Sequence, residues 1–389
     1  MYPDLSYILH ALIGTQPDNG FSVVKTFGLF LVFAILSSAF FLFLEFRRKE
    51  AEGLLTPVPT RITVGEPASP VDLIISAVVG FLLGFKVLYI VQNFSEFQAD
   101  TADVLLSSKG SWIGGILGLA ISAGMKYWEK NKEKLPTPEK KVINIFPHER
   151  IGDITIVAAI SGIIGAKVFA VIEDMDRLMA DPIGMLLSGS GMAIYGGLIG
   201  GMVITYFYLR SIKVTPIHAL DAVAPALFVG YAVGRMGCHF SGDGDWGDPN
   251  PNPVPDWWFF PDTWWSFNYP HNVINEGIPL ENCEMLYCKV LPQGVWPTPI
   301  YEIFAGFVLA AILWSLRKRI KIPGVMFSLY LVLNGIQRFS IEQIRINDEY
   351  EILGMQLTQA EIIAIGFSLV GLIGIFICKS WHQPKAEIG

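Results

Sequence analysis

The chain has 389 residues, of which 52% are hydrophobic and 16% are charged. Soluble globular proteins carry about 25% charged residues, so this composition and a mean hydropathy of +0.46 exclude an ordinary soluble domain. The formal net charge of −7 disfavours nucleic acid as a partner, because such a partner requires a basic face. Met1–Thr15 lacks a basic start and a small-residue cleavage site, so the first apolar span is expected to remain as a membrane helix.

Nine stretches are predicted as membrane-spanning helices, since a span needs roughly 20 predominantly apolar residues. They lie near 21–45, 71–93, 111–127, 152–173, 192–210, 218–237, 299–316, 323–343 and 357–378. The predicted fold class is therefore an all-α integral membrane protein of about nine transmembrane helices.

The charges between the spans indicate the orientation, because lysine and arginine collect in cytoplasmic loops. Basic residues such as Arg47 and Arg48 follow the odd-numbered spans, whereas acidic residues such as Glu96 and Asp100 follow the even-numbered spans. This alternation predicts an N-terminus outside the membrane and a C-terminus in the cytoplasm.

An internal repeat relates the second and third spans to the fourth and fifth. Residues 72–86 align with residues 153–167, and each copy leads to a second glycine box, at 114–118 and at 196–200. Both copies start on the cytoplasmic side, so the repeat is parallel, unlike the inverted repeats of many transporters. It predicts two copies of one hairpin, whose small residues let the helix backbones approach closely.

The stretch 238–297 has no spanning pattern, carries eight acidic residues against one lysine, and contains six of the ten tryptophans. Tryptophan favours the headgroup level, so the stretch is interpreted as an exported, Trp/Pro-rich head on the outer membrane surface. Alternatively, the aromatic residues only stabilise the loop itself. Cys283 and Cys288 lie close together here, as either a local disulfide or two free thiols, and no metal site is expected.

These patterns divide the chain into four segments. They are the N-terminal transmembrane helices with the duplicated hairpin (1–150), the core transmembrane helices (151–237), the head (238–297) and the C-terminal transmembrane helices (298–389).

Ionisable residues inside spans are costly and therefore indicate function. Arg235 is expected at the outer end of the sixth span, Glu302 at the start of the seventh, and Arg338, Glu342 and Arg345 on one face of the eighth. A guanidinium group binds phosphate through two parallel hydrogen bonds, so arginines at headgroup depth predict binding of a phospholipid phosphate. The alternative is a buried Arg338–Glu342 pair that only fixes the helix register.

A turn rich in glycine and aspartate follows Arg235, and residues 234–247 read Gly-Arg-Met-Gly-Cys-His-Phe-Ser-Gly-Asp-Gly-Asp-Trp-Gly. This stretch resembles the signature of the prolipoprotein diacylglyceryl transferase family, a Gly-Arg-x-Gly-Asn-Phe box followed by an acidic residue and a glycine. Further boxes of that family follow in its order within residues 150–378. They are its second helix (153–167), its histidine-glycine box (195–201), its Pro-x-Gln-x-Tyr-Glu box (296–302) and its Phe-Arg-x-x-x-Glu helix (337–342).

The chain also departs from the family pattern. Phe27 stands where the family has a tyrosine, and Tyr195 stands where it has a histidine. The signature asparagine is replaced by Cys238 or His239, and the acidic residue is Asp243 or Asp245. The family usually has seven spans, and the duplicated hairpin at 71–127 would account for two more.

The resemblance implies an enzyme of the bacterial cytoplasmic (inner) membrane whose active site faces the outer leaflet. The family's donor is phosphatidylglycerol, and its acceptor is the lipobox cysteine thiol that follows the signal peptide of an exported prolipoprotein. The product is a thioether-linked diacylglycerol, and glycerol phosphate is released. No cofactor or metal is expected; the partners are these two substrates and the membrane lipids.

Residue roles follow from the resemblance together with the charges. The expected catalytic residues are Arg235, Arg338, Glu342, His239 and Tyr195. The expected substrate-binding residues are Arg235, Arg338, Gly196, Gly197, Asp243, Asp245, Gly247, Tyr301 and Glu302. His239 suits the role of general base, whereas Tyr195 is a poor base unless its pKa is strongly perturbed. A lone histidine in an exported loop is as often structural.

Two other functions fit parts of the sequence. A lipid or solute transporter would explain embedded charges and glycine-lined helices, but its charges should gather near the midplane. A non-catalytic relative that binds lipid or precursor peptides would explain the departures from the family pattern.

Overall fold

The computed structural model describes residues 1–99, 104–105, 107–182, 185, 193–345, 347, 349–352 and 355–382, and most of them are helical. The helices are α1 (Leu5–Ile13), α2 (Thr26–Ala51), α3 (Pro70–Gln92), α4 (Phe94–Ala99), α5 (Trp112–Glu133), α6 (Ile151–Glu173), α7 (Met175–Ala180), α8 (Ile194–Ser211), α9 (Pro216–Ser241), α10 (Thr298–Leu316), α11 (Val325–Glu342) and α12 (Gln359–His382).

The described strands form three two-stranded antiparallel sheets, which the sequence analysis did not predict. The pairs are β1 (Val58–Val64) with β2 (Glu139–Ile145), β3 (Ile278–Pro279) with β4 (Lys289–Val290), and β5 (Glu349–Ile352) with β6 (Met355–Thr358). β1 and β2 are rich in valine, isoleucine and threonine, which favour strands. The fold is therefore mostly helical rather than entirely so.

Six of the described helices, namely α2, α3, α6, α9, α10 and α12, are long and apolar enough to cross a membrane. The chain is thus a multi-pass membrane protein. The other long helices, α5, α8 and α11, coincide with the remaining predicted spans, and their crossing of the membrane stays a prediction.

Packing divides the chain into two compact units. Unit 1 consists of residues 1–55 and 214–389, and unit 2 of residues 56–213. The two units are defined by contacts between residues, whereas the four segments predicted from the sequence are defined by membrane topology. The four-segment description therefore also stays a prediction.

In unit 1, α9 packs against α2 and α10, and α11 packs against α12. Ala224 and Phe228 of α9 form a buried apolar core with Leu313 of α10 and Met326 of α11. The Asp221 carboxylate accepts hydrogen bonds from the N–H groups of Gly324 (2.8 Å) and Phe327 (3.0 Å) at the start of α11, which satisfies free donors of that helix end.

Unit 2 contains the repeat as two hairpins, α3 with α5 and α6 with α8, in which the helices touch backbone to backbone. A Cβ atom on Gly84 would overlap the carbonyl oxygen of Gly114, and one on Gly165 would overlap that of Gly196. The same glycine contact thus recurs in both hairpins, and small residues allow this close approach of the helix backbones.

The side chain of Lys86 in α3 is bound by backbone carbonyl groups. Its ammonium group donates to the backbone carbonyls of Val104 (2.7 Å), Ser107 (2.5 Å) and Lys109 (2.9 Å). The side chain therefore fastens the segment that joins α3 to α5, which offsets the cost of an embedded lysine.

The segment 242–297 contains no long helix and is held by short strands, turns and a small core of Tyr269, Leu291 and Val295. Its cysteines, Cys283 and Cys288, form a disulfide, which resolves the two alternatives left open by the sequence.

A valine at Gly84 should destabilise unit 2 by about 1–3 kcal/mol, because its side chain overpacks the contact with α5. The measurement is the free energy of unfolding in detergent, with Gly124→Val as the control, since a Cβ at Gly124 meets no atom within 4 Å. Equal losses in both variants would contradict close packing at Gly84.

Candidate active site

Six charged side chains at one end of unit 1 form what we call the arginine–carboxylate cluster. Its members are Arg235, Asp245, Glu302, Arg338, Glu342 and Arg345. The cluster forms there because α9 and α11 end, and α10 and α12 begin, at this end of the unit. Each ion pair except Arg338–Glu342 joins residues of different elements.

Glu302 lies at the centre of the cluster and is fully buried. One of its carboxylate oxygens, Oε2, lies 3.1 Å from Nε of Arg235. The other, Oε1, lies 3.8 Å from Nη1 of Arg338. The two arginines expected to bind phosphate therefore share one carboxylate.

Asp245 bridges two arginines in the same way. One carboxylate oxygen pairs with Nη1 of Arg235, and the other lies 2.7 Å from Nη2 of Arg345. Burial alone would raise the pKa of Asp245, but the positive charges of Arg235 and Arg345 more than offset it, so the pKa lies below its usual range. Asp245 is thus held as the anion.

Glu342 fixes Arg338 from the following turn of α11, with Oε2 2.9 Å from Nη2 of Arg338. Its other oxygen accepts hydrogen bonds from Asn347 (2.6 Å) and from the Thr358 hydroxyl (2.8 Å). The pair predicted from sequence spacing is present, but it belongs to a larger network.

Two buried guanidinium nitrogens of the cluster, Nη1 of Arg338 and Nε of Arg345, have no hydrogen-bond partner among the described residues. A buried donor without a partner is costly. Since the cluster has three cations and three carboxylates, affinity for a phosphate would come from guanidinium N–H groups rather than from net charge.

Tyr231 and Gln337 extend the cluster and were missed by the sequence analysis as site residues. The Tyr231 hydroxyl donates to Glu302 Oε1 (2.5 Å) and accepts a hydrogen bond from the Gln337 amide (3.2 Å). The Arg235 guanidinium also lies over the Tyr231 ring, 5.2 Å from its centre. Tyr231 precedes Arg235 by one helical turn, a spacing that places both on one face.

Arg345 was noted in the sequence but was not assigned to the site, and its expected position was wrong. It does not continue the face of α11, because the helix ends at Glu342. Instead, the following turn brings its guanidinium group to Asp245.

His239 lies beside an aromatic group instead of within the cluster. Its Nδ1 lies 3.3 Å from the Tyr269 hydroxyl, and its ring also packs against Phe240 and Phe267. Burial raises the pKa of Tyr269 far above its usual range, so this hydroxyl keeps its proton. The other ring nitrogen of His239, Nε2, makes no hydrogen bond to the described residues.

Cys238 and Asp243 lie next to Arg235 and Asp245. The Cys238 sulfur and the carboxylates of Asp243 and Asp245 have ligand atoms within 4.8 Å of one another. Two arginines already bind Asp245. These three side chains therefore suit binding of guanidinium groups better than binding of a metal ion. Burial raises the pKa of Asp243, whereas Asp245 is held as the anion. Asp245 is therefore the acidic partner of the arginines.

Other expected site residues have packing contacts. Gly247 has no room for a side chain, because a Cβ would overlap the Ile344 carbonyl oxygen and approach Thr298. The Tyr301 hydroxyl donates to the Trp264 carbonyl (2.7 Å). Gly196 and Gly197 face α6 within unit 2. Their substrate-binding roles stay predictions.

Two residues at which the chain departs from the family pattern are Tyr195 and Phe27. The side chain of Tyr195 lies outside the described part of the chain. Phe27 belongs to the first turn of α2, and its backbone lies against Gly237 of α9.

Asp245→Asn should lower the free energy of unfolding at neutral pH by roughly 1.5–3 kcal/mol, the range for hydrogen bonds to charged groups. Because the pKa of Asp245 is depressed in the folded state, its contribution is complete above the usual aspartate range and is lost as pH falls through the folded pKa. The difference between wild type and variant should therefore be constant from pH 8 to about 5.5 and shrink only below about 4.

The exposed Asp262 of the same segment provides the control as Asp262→Asn, which should change stability little at any pH. If the effect of Asp245→Asn already disappeared between pH 7 and pH 6, the carboxylate would not be held as proposed.

Known proteins resemble this chain over more than half of its length. The family model for prolipoprotein diacylglyceryl transferase matches residues 135–377. A Clostridium tetani protein named phosphatidylglycerol–prolipoprotein diacylglyceryl transferase is 26% identical over 265 residues, which are 68% of this chain and 90% of that protein. A protein of the same name from Dehalococcoides mccartyi is 28% identical over 60% of this chain and 78% of its own length.

A third relative with that name, from Chromohalobacter salexigens, is 27% identical over 58% of this chain and 74% of its own length. The matched region contains every member of the arginine–carboxylate cluster. The chain therefore belongs to the prolipoprotein diacylglyceryl transferase family of membrane enzymes.

Proposed function

We propose that the protein transfers the diacylglyceryl group of phosphatidylglycerol to the lipobox cysteine of exported prolipoproteins. The observation that carries this proposal is the meeting of Arg235 and Arg338 on the single carboxylate of Glu302. Family membership and the names of the relatives supply the reaction class. The guanidinium N–H groups of these two arginines supply a means of holding a phosphodiester.

The reaction requires one bond to form and one to break. The cysteine sulfur attacks the glyceryl carbon that carries the phosphate, and a carbon–sulfur bond forms. The bond between that carbon and the phosphate oxygen breaks, and glycerol phosphate leaves with the electron pair. Arg235 and Arg338 hold the phosphate and stabilise the negative charge that develops on it.

The carboxylates act by positioning the arginines. Glu302 and Glu342 hold Arg338 from two sides, and Asp245 and Glu302 do the same for Arg235. Each guanidinium therefore keeps one orientation before the lipid arrives, so less entropy is lost on binding. Asp245 also ties the 242–247 turn to the cluster through Arg345.

The acceptor thiol must lose its proton, and His239 is the proposed base. In the tautomer whose Nδ1–H donates to the Tyr269 oxygen, Nε2 is free to accept the thiol proton. Tyr269 then acts as a positioning residue, because its hydroxyl holds the imidazole ring in place. A thiol with a pKa near 8.5 needs only modest help of this kind.

The proposal includes the topology. Nine spans place the N-terminus outside and the C-terminus in the cytoplasm of a bacterial inner membrane. The arginine–carboxylate cluster and the Trp/Pro-rich 242–297 segment then lie at the outer leaflet, where exported precursors and phosphatidylglycerol meet. The substrate-binding roles of Gly196 and Gly197 and the catalytic role of Tyr195 are carried over from the family pattern.

Arg235→Lys and Arg338→Lys should each lower the rate of transfer roughly 100-fold, because an ammonium group lacks the planar pair of donors. The assay uses phosphatidylglycerol vesicles and a lipobox peptide and detects the thioether product by mass spectrometry. Arg319→Lys is the matched control, since Arg319 lies exposed just after α10. Wild-type rates in both cluster variants would refute the phosphate role.

His239→Ala should lower the rate by roughly 100-fold at neutral pH, within the range for general bases, and the loss should diminish at alkaline pH, where the thiol ionises by itself. Tyr269→Phe should cause a smaller loss, because the base remains and only the position of its ring is less constrained. An undiminished rate in His239→Ala would remove His239 from the mechanism.

A further inference from the structure

An apolar groove of about 490 Å³ lies between α9 and α10 of unit 1. Its α9 wall consists of Met236, His239 and Phe240, and its α10 wall includes Phe304, Phe307 and Ala311. His239 is the only titratable side chain among the lining residues of this groove. Apart from His239, the lining residues have no role expected from the family pattern.

The chemistry of the groove suits a hydrocarbon chain. Its lining on α10 extends from Ile300 to Ala311, which at 1.5 Å per residue is a depth of about 16 Å. Apart from His239 and Trp264, the lining side chains are wholly apolar.

The depth of the groove also fits a lipid chain. The hydrocarbon core of a bilayer is about 30 Å thick, so the chains of one leaflet extend about 15 Å. Beginning near the outer end of α10, the groove therefore covers about one leaflet. Its walls are open towards the membrane, since Phe304 is 60% exposed and Phe307 42% exposed.

The mouth of the groove lies close to the arginine–carboxylate cluster. Met236 directly follows Arg235, and His239 follows it by one turn of α9, about 6 Å along the helix axis. On α10, Ile300 and Ile303 of the groove flank Glu302. Trp264 also lines the groove, and its backbone carbonyl accepts a hydrogen bond from the Tyr301 hydroxyl. A lipid whose phosphate binds Arg235 can therefore reach the groove with one chain.

We propose that this groove holds one acyl chain of the phospholipid donor and that the side chain at position 311 limits the length of that chain. The proposal rests on the proposed function for the identity of the donor. Discrimination is steric, because a chain leaving the bilayer gains no hydrophobic free energy on entering an apolar groove. Ala311 leaves the inner end of the groove open, so long chains are accepted.

Ala311→Phe should shorten the accepted chain. Transfer is measured with phosphatidylglycerols of graded chain length, and the ratio of kcat/KM for long over short chains should fall roughly tenfold, because the larger side chain takes the space at the inner end of the groove that the last carbons of a long chain occupy. Ala311 is exposed, so the larger side chain leaves the helix packing intact. Ile312→Phe is the matched control, because Ile312 lies at the same depth outside the groove, and it should leave the ratio unchanged. An equal ratio in both variants overturns the proposal.

A second readout needs no turnover. Phosphatidylglycerol with a photoreactive diazirine in one acyl chain is irradiated with the wild-type protein in phosphatidylglycerol nanodiscs, and labelled residues are identified by mass spectrometry. Labelling of Phe304–Ala311 should exceed labelling of the exposed face of α12 around Leu369 and Val370 several-fold. Equal labelling of the two helices, or preferential labelling of the groove by a photoreactive signal peptide, overturns the proposal.

These two measurements distinguish failure of the acyl-chain proposal from failure of the proposed function. Absence of transfer with every lipid would refute the proposed function, yet groove labelling would still test the chain site. Normal transfer without selective labelling would refute the chain site alone.

Discussion

The site depends on the buried carboxylate of Glu302, which two arginines from different helices share. Desolvating charges of this kind is costly, and a buried ion pair is often less stabilising than an apolar replacement. Such a network is therefore better explained by function than by stability. Removing Glu302 from the cluster would leave Arg235 and Arg338 to repel one another, so this carboxylate is what allows two guanidinium groups to face one phosphate. Tyr231 and Gln337 hold it in place through hydrogen bonds.

The long apolar helices and the glycine contacts followed directly from the sequence, because span length and small-residue spacing are local properties. Arg235, Glu302, Arg338 and Glu342 were also identified individually, since an ionisable residue within a span is conspicuous. Their pairing was not predictable, because only packing of α9, α10 and α11 decides that Glu302 meets both arginines. Spacing alone gave the Arg338–Glu342 pair, which lies within one helix.

The errors in predicting these residues have a common cause. The position of each residue depends on where a helix or strand ends. Arg345 was assigned to a helix face by its spacing, whereas α11 ends at Glu342 and a turn carries Arg345 to Asp245. Thr358, at the end of β6, reaches Glu342 because the β5–β6 hairpin returns the chain to the cluster. Sequence periodicity carries no information about such returns. The same limit applies to Asp243 and Asp245, which only the fold of the turn distinguishes.

The central claim is that one lipid phosphate contacts both Arg235 and Arg338. It is tested most directly by nitrogen-15 to phosphorus-31 dipolar dephasing in solid-state NMR of protein containing labelled arginine in phosphatidylglycerol bilayers. Guanidinium nitrogens should show short-range dephasing by phosphorus. The dephasing should decrease by about half in Arg235→Lys or Arg338→Lys. In the double variant it should vanish, apart from a background that Arg319→Lys also shows. Dephasing that is unchanged by both substitutions would contradict the central claim.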